Sequence, residues 1–266
     1  MAVAANRLFE NGAVRDSFLG HYDDLRGQVR MEIVRRHLSA VIDGSHRMRV
    51  LDIGCGDGRD CRWLADQGHS VIGLDPASAM IEQACKEHAG QAKGSLLFAQ
   101  GDVETALADY GPGQFDLVLS HGVIMYQDDP AAFLARHVEL ARDGGKLSLL
   151  AKNADALAFR AAREASVDEA IRVLDDSNSI GHLGLATGAQ TIQELSDFGF
   201  AAGATVYSWA GVRLFSDAPS DPVIEAKPDK IIELEWMAAR RDPHRRTAAL
   251  LHVLYLRGVD LSLLPA

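Results

Sequence analysis

The chain has 266 residues, 47% of them hydrophobic, and a formal net charge of −10 at pH 7. The length suits one large domain with its own core. No apolar run approaches the roughly 18 residues of a membrane-spanning helix, and the first residues lack the basic flank and apolar centre of a signal peptide. Cys55, Cys61 and Cys85 form neither a disulfide framework nor a zinc-binding pair. We therefore expect a cytoplasmic protein without a bound metal, whose acidic charge disfavours a polyanionic partner.

An amphipathic helix is the first element that the sequence predicts. Residues 27–43 (GQVRMEIVRRHLSAVID) place valine, isoleucine and leucine on one helical face and arginines on the other. We assign residues 1–44 to an N-terminal helical cap.

Five apolar runs of strand length follow within residues 45–152: RVLDI, SVIGLD, SLLFAQGD, FDLVLS and KLSLLA. Nearly continuous apolarity is typical of strands that are covered on both faces, as in parallel sheets. Helix signals separate the runs, since Pro76 and Pro130 open helical segments and Gly90 ends one. We interpret residues 45–152 as the ligand-binding core.

The pattern changes after the fifth run. Residues 153–200 predict a helical lid in which two helices flank the polar loop SNSIGHLGLATGAQ. Residues 201–266 return to strands, ATVYSWAGVRLF and ALLHVLYLR, around one more helix. The prediction is a single α/β domain: a seven-stranded, mostly parallel sheet with one antiparallel edge strand, helices on both faces and the lid as an insertion.

The glycine-rich turn VLDIGCGDG points to a ligand. A strand that ends in such a turn and opens a helix presents bare backbone N–H groups to a bound molecule. Gly54 and Gly56 fit a dinucleotide fingerprint, but Arg59 stands where its third glycine would be. Asp75 ends the next strand, where an acid can accept both ribose hydroxyls, and Asp102 follows the third strand. These features predict a nucleoside without a diphosphate.

The motifs VLDIGCGDG, GLD, GDV and FDLVLSHGV resemble, in this order, those of class I S-adenosylmethionine-dependent methyltransferases. The resemblance covers about residues 45–152 and implies a Rossmann-like fold, with S-adenosyl-L-methionine as cofactor and S-adenosyl-L-homocysteine as product. It implies that the following residues bind the cofactor: Asp52, Gly54, Cys55, Gly56, Asp75, Pro76, Met80, Gly101, Asp102, Val103, Ser120 and His121.

Three further stretches, RGQVRMEIV, SHGVIMYQDDP and GVRLFSD, are similar to the bacterial tRNA 5-carboxymethoxyuridine methyltransferases. This resemblance implies that Arg30 reaches the cofactor, whose carboxylate a guanidinium can bind in a bidentate fork. It also implies that His121 lies near the transferred methyl group, and we name His121 and Arg213 as candidate catalytic residues. We expect the methyl acceptor to contact Tyr22, Tyr126, Asn153 and Arg213.

The acceptor is open at this stage. A small acidic metabolite methylated on oxygen, preferably a carboxylate oxygen, is the first hypothesis; its acid group could pair with Arg213. Methyl esterification of carboxymethoxyuridine in tRNA is the alternative, disfavoured by the net charge and by SNSIGHLGLATGAQ, which has no lysine or arginine for phosphate contacts. A non-catalytic S-adenosylmethionine-binding module and an enzyme that carboxylates the cofactor are further alternatives. His121 would act as general base only for an acceptor that must lose a proton. We expect no membrane contact, and a monomer or a homodimer.

Overall fold

The computed structural model describes residues 23–42, 46–164, 166–176, 178–180, 186–217 and 227–258, together with residues 12, 15, 20 and 44. Tyr22, a predicted acceptor contact, lies outside these residues. No helix in the described ranges is long and apolar enough to cross a membrane.

A seven-stranded sheet forms the centre of the fold, in the order β3-β2-β1-β4-β5-β9-β8. Neighbouring strands are parallel, except that β9 runs antiparallel to both β5 and β8. A separate two-stranded hairpin joins β6 to β7. The strands are β1 Arg49–Ile53, β2 Ser70–Asp75, β3 Ser95–Gln100, β4 Phe115–His121, β5 Ala141–Lys152, β6 Asn178–Ile180, β7 Ala186–Gly188, β8 Ala204–Val212 and β9 Leu250–Arg257.

The predicted seven-stranded, mostly parallel sheet is confirmed, and one detail of it differs. We expected the antiparallel strand at the edge, whereas β9 lies between β5 and β8. The burial of the two strands gives the reason: the first six residues of β9 are all buried, while β8 has half-buried and exposed positions. A strand that is apolar on both faces needs a neighbour on each side, and the more polar β8 can face solvent at the edge.

Helices cover both faces of the sheet. Asp102 and Asp129 cap two of them through their side chains, and Thr191 forms a capping box with Glu194 at a third. The helices whose bounds the structure describes are α1 Leu25–Leu38, α2 Arg59–Asp66, α3 Ser78–Glu87, α4 Val103–Tyr110, α5 Pro130–Leu140, α6 Leu157–Glu164, α7 Val167–Asp175, α8 Ile192–Ala201 and α9 Pro228–Ala239.

The segment between β5 and α8 differs from its predicted form. The helical pattern that follows β5 is divided into α6 and α7, because the Ser166 side chain accepts a hydrogen bond from Glu169 N and starts a new helix. The predicted polar loop contains the hairpin β6–β7. Leu157, Val173 and Ala189 form a small apolar cluster of their own there.

Helix α8 packs against the sheet. Leu195 of α8 belongs to the same buried cluster as Tyr255 of β9, and the Tyr255 hydroxyl donates to Leu195 O at 3.1 Å. A Cβ on Gly199 would lie 2.6 Å from the Tyr255 ring. The lid at residues 153–200 stays a prediction. Within these residues, α6, α7 and the hairpin lie apart from the main core, whereas α8 packs against the sheet.

Three buried histidines are electrically neutral in the fold. His37, His137 and His252 are almost fully buried, and burial disfavours their charged form. It lowers the pKa of His37 and of His137 to about 4 and that of His252 well below its usual value. The unfolded chain therefore binds more protons than the folded one between about pH 6.5 and pH 4.

We expect the free energy of unfolding to be highest above pH 6.5 and to fall as the pH drops through this window. Each histidine adds up to one proton to the difference in proton binding between the unfolded and the folded chain, and this difference sets the slope of the free energy against pH. His137→Leu removes one of these groups, so its stability should decrease less steeply between pH 6.5 and 4. Urea unfolding at a series of pH values measures the slope. His244→Gln, at an exposed position, is the control; equal slopes for the wild type and His137→Leu would contradict the assignment.

Candidate active site

The turn after β1 has a backbone that only glycine adopts readily. Gly54, Gly56 and Gly58 have φ angles of +76°, +56° and +79°, all in the left-handed region. A Cβ on Gly54 would lie 2.3 Å from Val123 Cγ2, and one on Gly58 would lie 2.4 Å from the Phe98 ring. The turn is thus confined between β3 and the segment that follows β4.

Asp75, at the end of β2, holds this turn. Its Oδ2 accepts a hydrogen bond from Gly56 N at 3.0 Å, and its Oδ1 accepts one from Ala77 N at 3.0 Å. The carboxylate is buried beside the turn, directly before Pro76. Met80 of α3 is buried as well, with its Cε 3.4 Å from the position of a Cβ on Gly56. These contacts hold Asp75 and the glycine turn in a fixed position relative to each other.

The end of β3, together with the ends of β1 and β2, forms the sheet edge where the sequence predicts the cofactor, which we call the cofactor edge. Gly101 N donates to the Asp75 carbonyl oxygen at 3.1 Å, which fixes the position of the chain before α4. Asp102 is exposed, and its Oδ1 accepts from Thr105 N at 3.0 Å as the cap of α4. Val103 follows it, half-buried. The structure brings these residues to the same sheet edge as Asp75.

Three further predicted cofactor residues are buried: one in the turn and two in the strands β1 and β4. Asp52 is buried and accepts a hydrogen bond from Cys61 Sγ at 3.3 Å, and burial raises its pKa to about 6. Cys55 and Ser120 are buried too, and the Ser120 hydroxyl has no hydrogen-bond partner in the part of the chain that the structure describes. Through Cys61, Asp52 connects β1 to α2.

His121, at the end of β4, uses both ring nitrogens within the protein. Nδ1 lies 3.2 Å from Asp60 Oδ2, and Nε2 lies 2.8 Å from Ser148 Oγ. Asp60 also accepts hydrogen bonds from Arg35 of α1, at 3.2 and 3.1 Å. Burial alone would raise the pKa of Asp60, but the His121 hydrogen bond and the nearby guanidinium groups of Arg35 and Arg30 hold it well below its usual range.

The contacts of His121 continue as a polar chain across the sheet, which we call the histidine chain. Ser148 Oγ lies 2.7 Å from His252 Nε2, His252 Nδ1 lies 2.9 Å from His37 Nδ1, and His37 Nε2 lies 2.9 Å from Ser208 Oγ. The histidine chain consists of Asp60, His121, Ser148, His252, His37 and Ser208.

One arrangement of protons satisfies the histidine chain when Asp60 is ionised. The carboxylate can only accept, so His121 donates from Nδ1 and, as a neutral ring, accepts at Nε2 from the Ser148 hydroxyl. Ser148 then accepts from His252 Nε2, and His252 Nδ1 accepts from His37. Each buried donor has one acceptor, which is what buried polar groups require.

Arg30 and Tyr126 are found beside the end of β4. An Arg30 Nη2 atom lies 3.7 Å from the position of a Cβ on Gly122, which follows His121. Tyr126 is half-buried in the short helical turn Ile124–Tyr126. Both residues are thus near the turn that Gly54 forms against Val123.

Asn153 is buried within the protein, whereas we expected it to contact the methyl acceptor. It is fully buried, its Nδ2 donates to Arg246 O at 2.8 Å and Ala248 O at 2.7 Å, and its Oδ1 accepts from Asp155 N. All of its amide atoms hold the chain together, so we correct its role from acceptor contact to structural residue.

Arg213 belongs to a cluster of cations that the sequence did not indicate. Its Nε donates to Asp217 Oδ1 at 2.7 Å, and Arg160 Nη2 of α6 lies 2.7 Å from the other carboxylate oxygen, Asp217 Oδ2. Lys152, the last residue of β5, binds the hydroxyls of Ser179 and Thr187 in the hairpin. We call Lys152, Arg160, Arg213 and Asp217 the cationic cluster.

Sequence reasoning missed most partners of the predicted residues. Lys152 could have been found, because it ends a parallel strand as Asp75 and His121 do. Asp60, Ser148, His252 and Arg160 carry no local motif. In the described ranges no group of three or more histidine, cysteine, aspartate or glutamate residues could hold a metal.

The central part of the chain matches a known protein family. Residues 51–149 match the family described as "Methyltransferase domain", which confirms the resemblance seen in the motifs. The tRNA 5-carboxymethoxyuridine methyltransferase of Escherichia coli K12 is 33% identical over 141 residues, 51% of this chain and 53% of that protein. The trans-aconitate 2-methyltransferase of Deinococcus radiodurans is 34% identical over 116 residues, 43% of this chain and 42% of that protein. The chain spans about half the length of the curated relatives it matches.

Solved structures share the fold. An S-adenosylmethionine-dependent methyltransferase from Mesorhizobium loti aligns with a TM-score of 0.59 and 21% identity over 84% of this chain and 96% of that one. The magnesium protoporphyrin IX methyltransferase of Synechocystis, solved with bound S-adenosylhomocysteine, aligns with a TM-score of 0.55 and 18% identity over 93% of this chain and 88% of that one. These likenesses establish the architecture.

A matched pair of glycine substitutions tests the turn. Gly54 and Gly113 have similar φ angles of +76° and +71°, but a Cβ on Gly113 would meet nothing within 4 Å. Gly113→Ala should cost about 1 kcal/mol of stability through the backbone alone. Gly54→Ala should cost more, because of Val123, and should weaken S-adenosylhomocysteine binding at least about tenfold.

Denaturant unfolding and titration calorimetry measure these two effects. Equal stability losses together with wild-type affinity in Gly54→Ala would show that the turn is not part of the ligand site.

Proposed function

We propose that this chain, which carries a methyltransferase domain in residues 51–149, transfers a methyl group from S-adenosyl-L-methionine to an oxygen atom of a small acidic metabolite. A carboxylate oxygen is the favoured acceptor. The observation that carries the choice of acceptor is the engagement of both His121 ring nitrogens by Asp60 and Ser148.

The chemistry of the acceptor follows from that engagement. A phenol or an amine must lose a proton on methylation, so it requires a base with a nitrogen or oxygen directed at the acceptor. A carboxylate has a pKa near 4 and is already ionised at neutral pH. Its oxygen attacks the methyl carbon as the bond to sulfur breaks, which gives an ester and S-adenosylhomocysteine without any proton transfer. The protein needs to position the two reactants and remove water from between them.

The cofactor half of the proposed site is the edge formed by β1, β2 and β3. The Gly54–Gly58 turn lets the cofactor approach the backbone, and Asp75, beside this turn, accepts the ribose hydroxyls. Asp102 and Val103 adjoin the adenine. Arg30, beside Gly122, binds the carboxylate of the methionine part. His121 then acts as a positioning residue whose ring borders the methyl group.

The acceptor half lies over β4 and β5. Tyr126 provides an apolar wall next to the turn, and Arg213 offers a positive charge for an acidic acceptor. The formal charge of −10 makes such a local positive charge important, because the protein as a whole repels anions.

A tRNA acceptor is the second candidate, supported by the identity to the Escherichia coli tRNA 5-carboxymethoxyuridine methyltransferase. Retention on bulk tRNA that falls steeply with salt would favour it, since phosphate contacts release counterions. A search for S-adenosylhomocysteine formation with pooled acidic metabolites tests the first candidate. Cofactor binding without turnover on either substrate would leave a non-catalytic binding module.

Substitution of His121 tests the role that we assign to it. The amide nitrogen of His121→Asn can replace Nδ1 as the donor to Asp60, but the variant has no titratable ring. With a carboxylate acceptor we expect kcat to fall less than about tenfold and to stay constant between pH 6 and 9.

Steady-state kinetics at saturating S-adenosylmethionine measures kcat of the wild type and of the variant. A loss of a hundredfold or more, in a variant that binds S-adenosylhomocysteine like the wild type, would instead identify His121 as the base and a protonated acceptor as the substrate.

A further inference from the structure

The cationic cluster lies at the same sheet edge as the proposed site. β8 runs parallel to β5, because both are antiparallel to β9, so Lys152 and Arg213 follow strand ends on the side of the glycine turn. Lys152 pairs with Leu250, and Leu250 pairs with Val212, the last residue of β8. Lys152 ends the strand next to that of His121. Neighbouring strands lie about 4.8 Å apart and β8 is three strands from β4, so Arg213 is roughly 14 Å from His121 across the sheet.

A buried carboxylate fixes the loop that holds Arg213 and Asp217. Glu235 of α9 is 1% exposed and accepts hydrogen bonds from the backbone N–H groups of residues 214, 215 and 216, at 2.8, 2.9 and 2.7 Å. The loop holds Arg213 at a φ of +64°, a conformation that costs free energy for a residue with a Cβ. The guanidinium is therefore in a fixed position.

Among the residues that the structure describes, the cationic cluster has three cations and one carboxylate. Arg160 and Arg213 contact that carboxylate, Asp217, whose side chain is only 7% exposed, and both Arg160 and Asp217 are close enough to Lys152 to influence its pKa. Burial and the charge of Arg160 lower the pKa of Lys152 to about 8, and Glu169, which also acts on Lys152, is bound to Arg172. A bound anion would balance this excess charge.

We propose that the cationic cluster binds a second anionic group of the acceptor, so that the acceptor carries at least two acid groups, one methylated and one held by Lys152, Arg160 and Arg213. This inference rests on the proposed function and specifies its substrate. The held group is not the one methylated, because a carboxylate bound by guanidinium groups has its lone pairs occupied and its negative charge compensated. Its distance from His121 also separates it from the methyl group.

Calorimetric titration of the wild-type protein saturated with S-adenosylhomocysteine tests the inference without any variant. Glutarate should bind at least about tenfold more tightly than butyrate, which has one acid group at similar size. Uridine 5′-monophosphate compared with uridine tests whether a phosphate serves as the second anion. No preference within either pair would overturn the inference.

Two variants and one matched control locate the site. Lys152→Met and Arg160→Gln should each reduce the preference for the doubly charged ligand about tenfold and leave S-adenosylhomocysteine affinity unchanged. Arg163→Gln, on the same helix as Arg160 but stacked on Phe159, should retain the preference. Thermal unfolding of each variant shows that it is folded.

The outcomes separate this inference from the proposed function. Wild-type ligand preference in both cluster variants would overturn the inference and give the Arg160 contact with Asp217 a purely structural role. Failure of the wild type to bind S-adenosylhomocysteine would overturn the proposed function itself.

Discussion

The carboxylate of Asp60 is the interaction on which the arrangement of the site depends. It lies in the first turn of α2, directly after the glycine turn, and it binds Arg35 of α1 and His121 of β4 at once. Three separate elements are therefore fixed at the cofactor edge by one negative charge. A buried charge is costly unless it is fully paired, and removing one partner of such a group destabilises a fold strongly. The N-terminal helix is held where Arg30 can reach the site for this reason.

The histidine chain extends the same constraint across the sheet. Ser148 and His252 are polar residues within the buried stretches 147–151 of β5 and 250–255 of β9, and their hydrogen-bond partners are the neighbouring members of the histidine chain. Because Asp60 sets the direction of every hydrogen bond, it determines the tautomer of His121, and the tautomers of His252 and His37 follow along the chain. His121 is thereby held in one orientation, which agrees with the positioning role that we propose for it.

The sequence alone was sufficient to predict features whose residues lie close together in the chain. The glycine turn, Asp75 and Asp102 were predicted because strand ends and left-handed glycines have signatures within a few residues. The place of β9 was not predicted, since it depends on which strand can tolerate an exposed edge. Asn153 was misassigned because its burial follows from contacts with Arg246 and Ala248, distant in the sequence. Asp60 and Arg160 were missed for the same reason: their roles arise from tertiary pairing.

The two halves of the proposed site differ in the same way: one is built mainly from residues that are neighbours in the sequence, and the other from residues of distant segments. Apart from Arg30, the residues of the proposed cofactor half come from one contiguous stretch, and the family match covers this stretch, residues 51–149. The charged residues of the proposed acceptor half are Lys152 from the end of β5, Arg160 from α6, and Arg213 and Asp217 from the loop after β8, which Glu235 of α9 supports. All five residues lie outside the matched stretch. A nucleoside cofactor can thus be inferred from a motif, whereas the acceptor has to be inferred from charges that only the folded chain brings together.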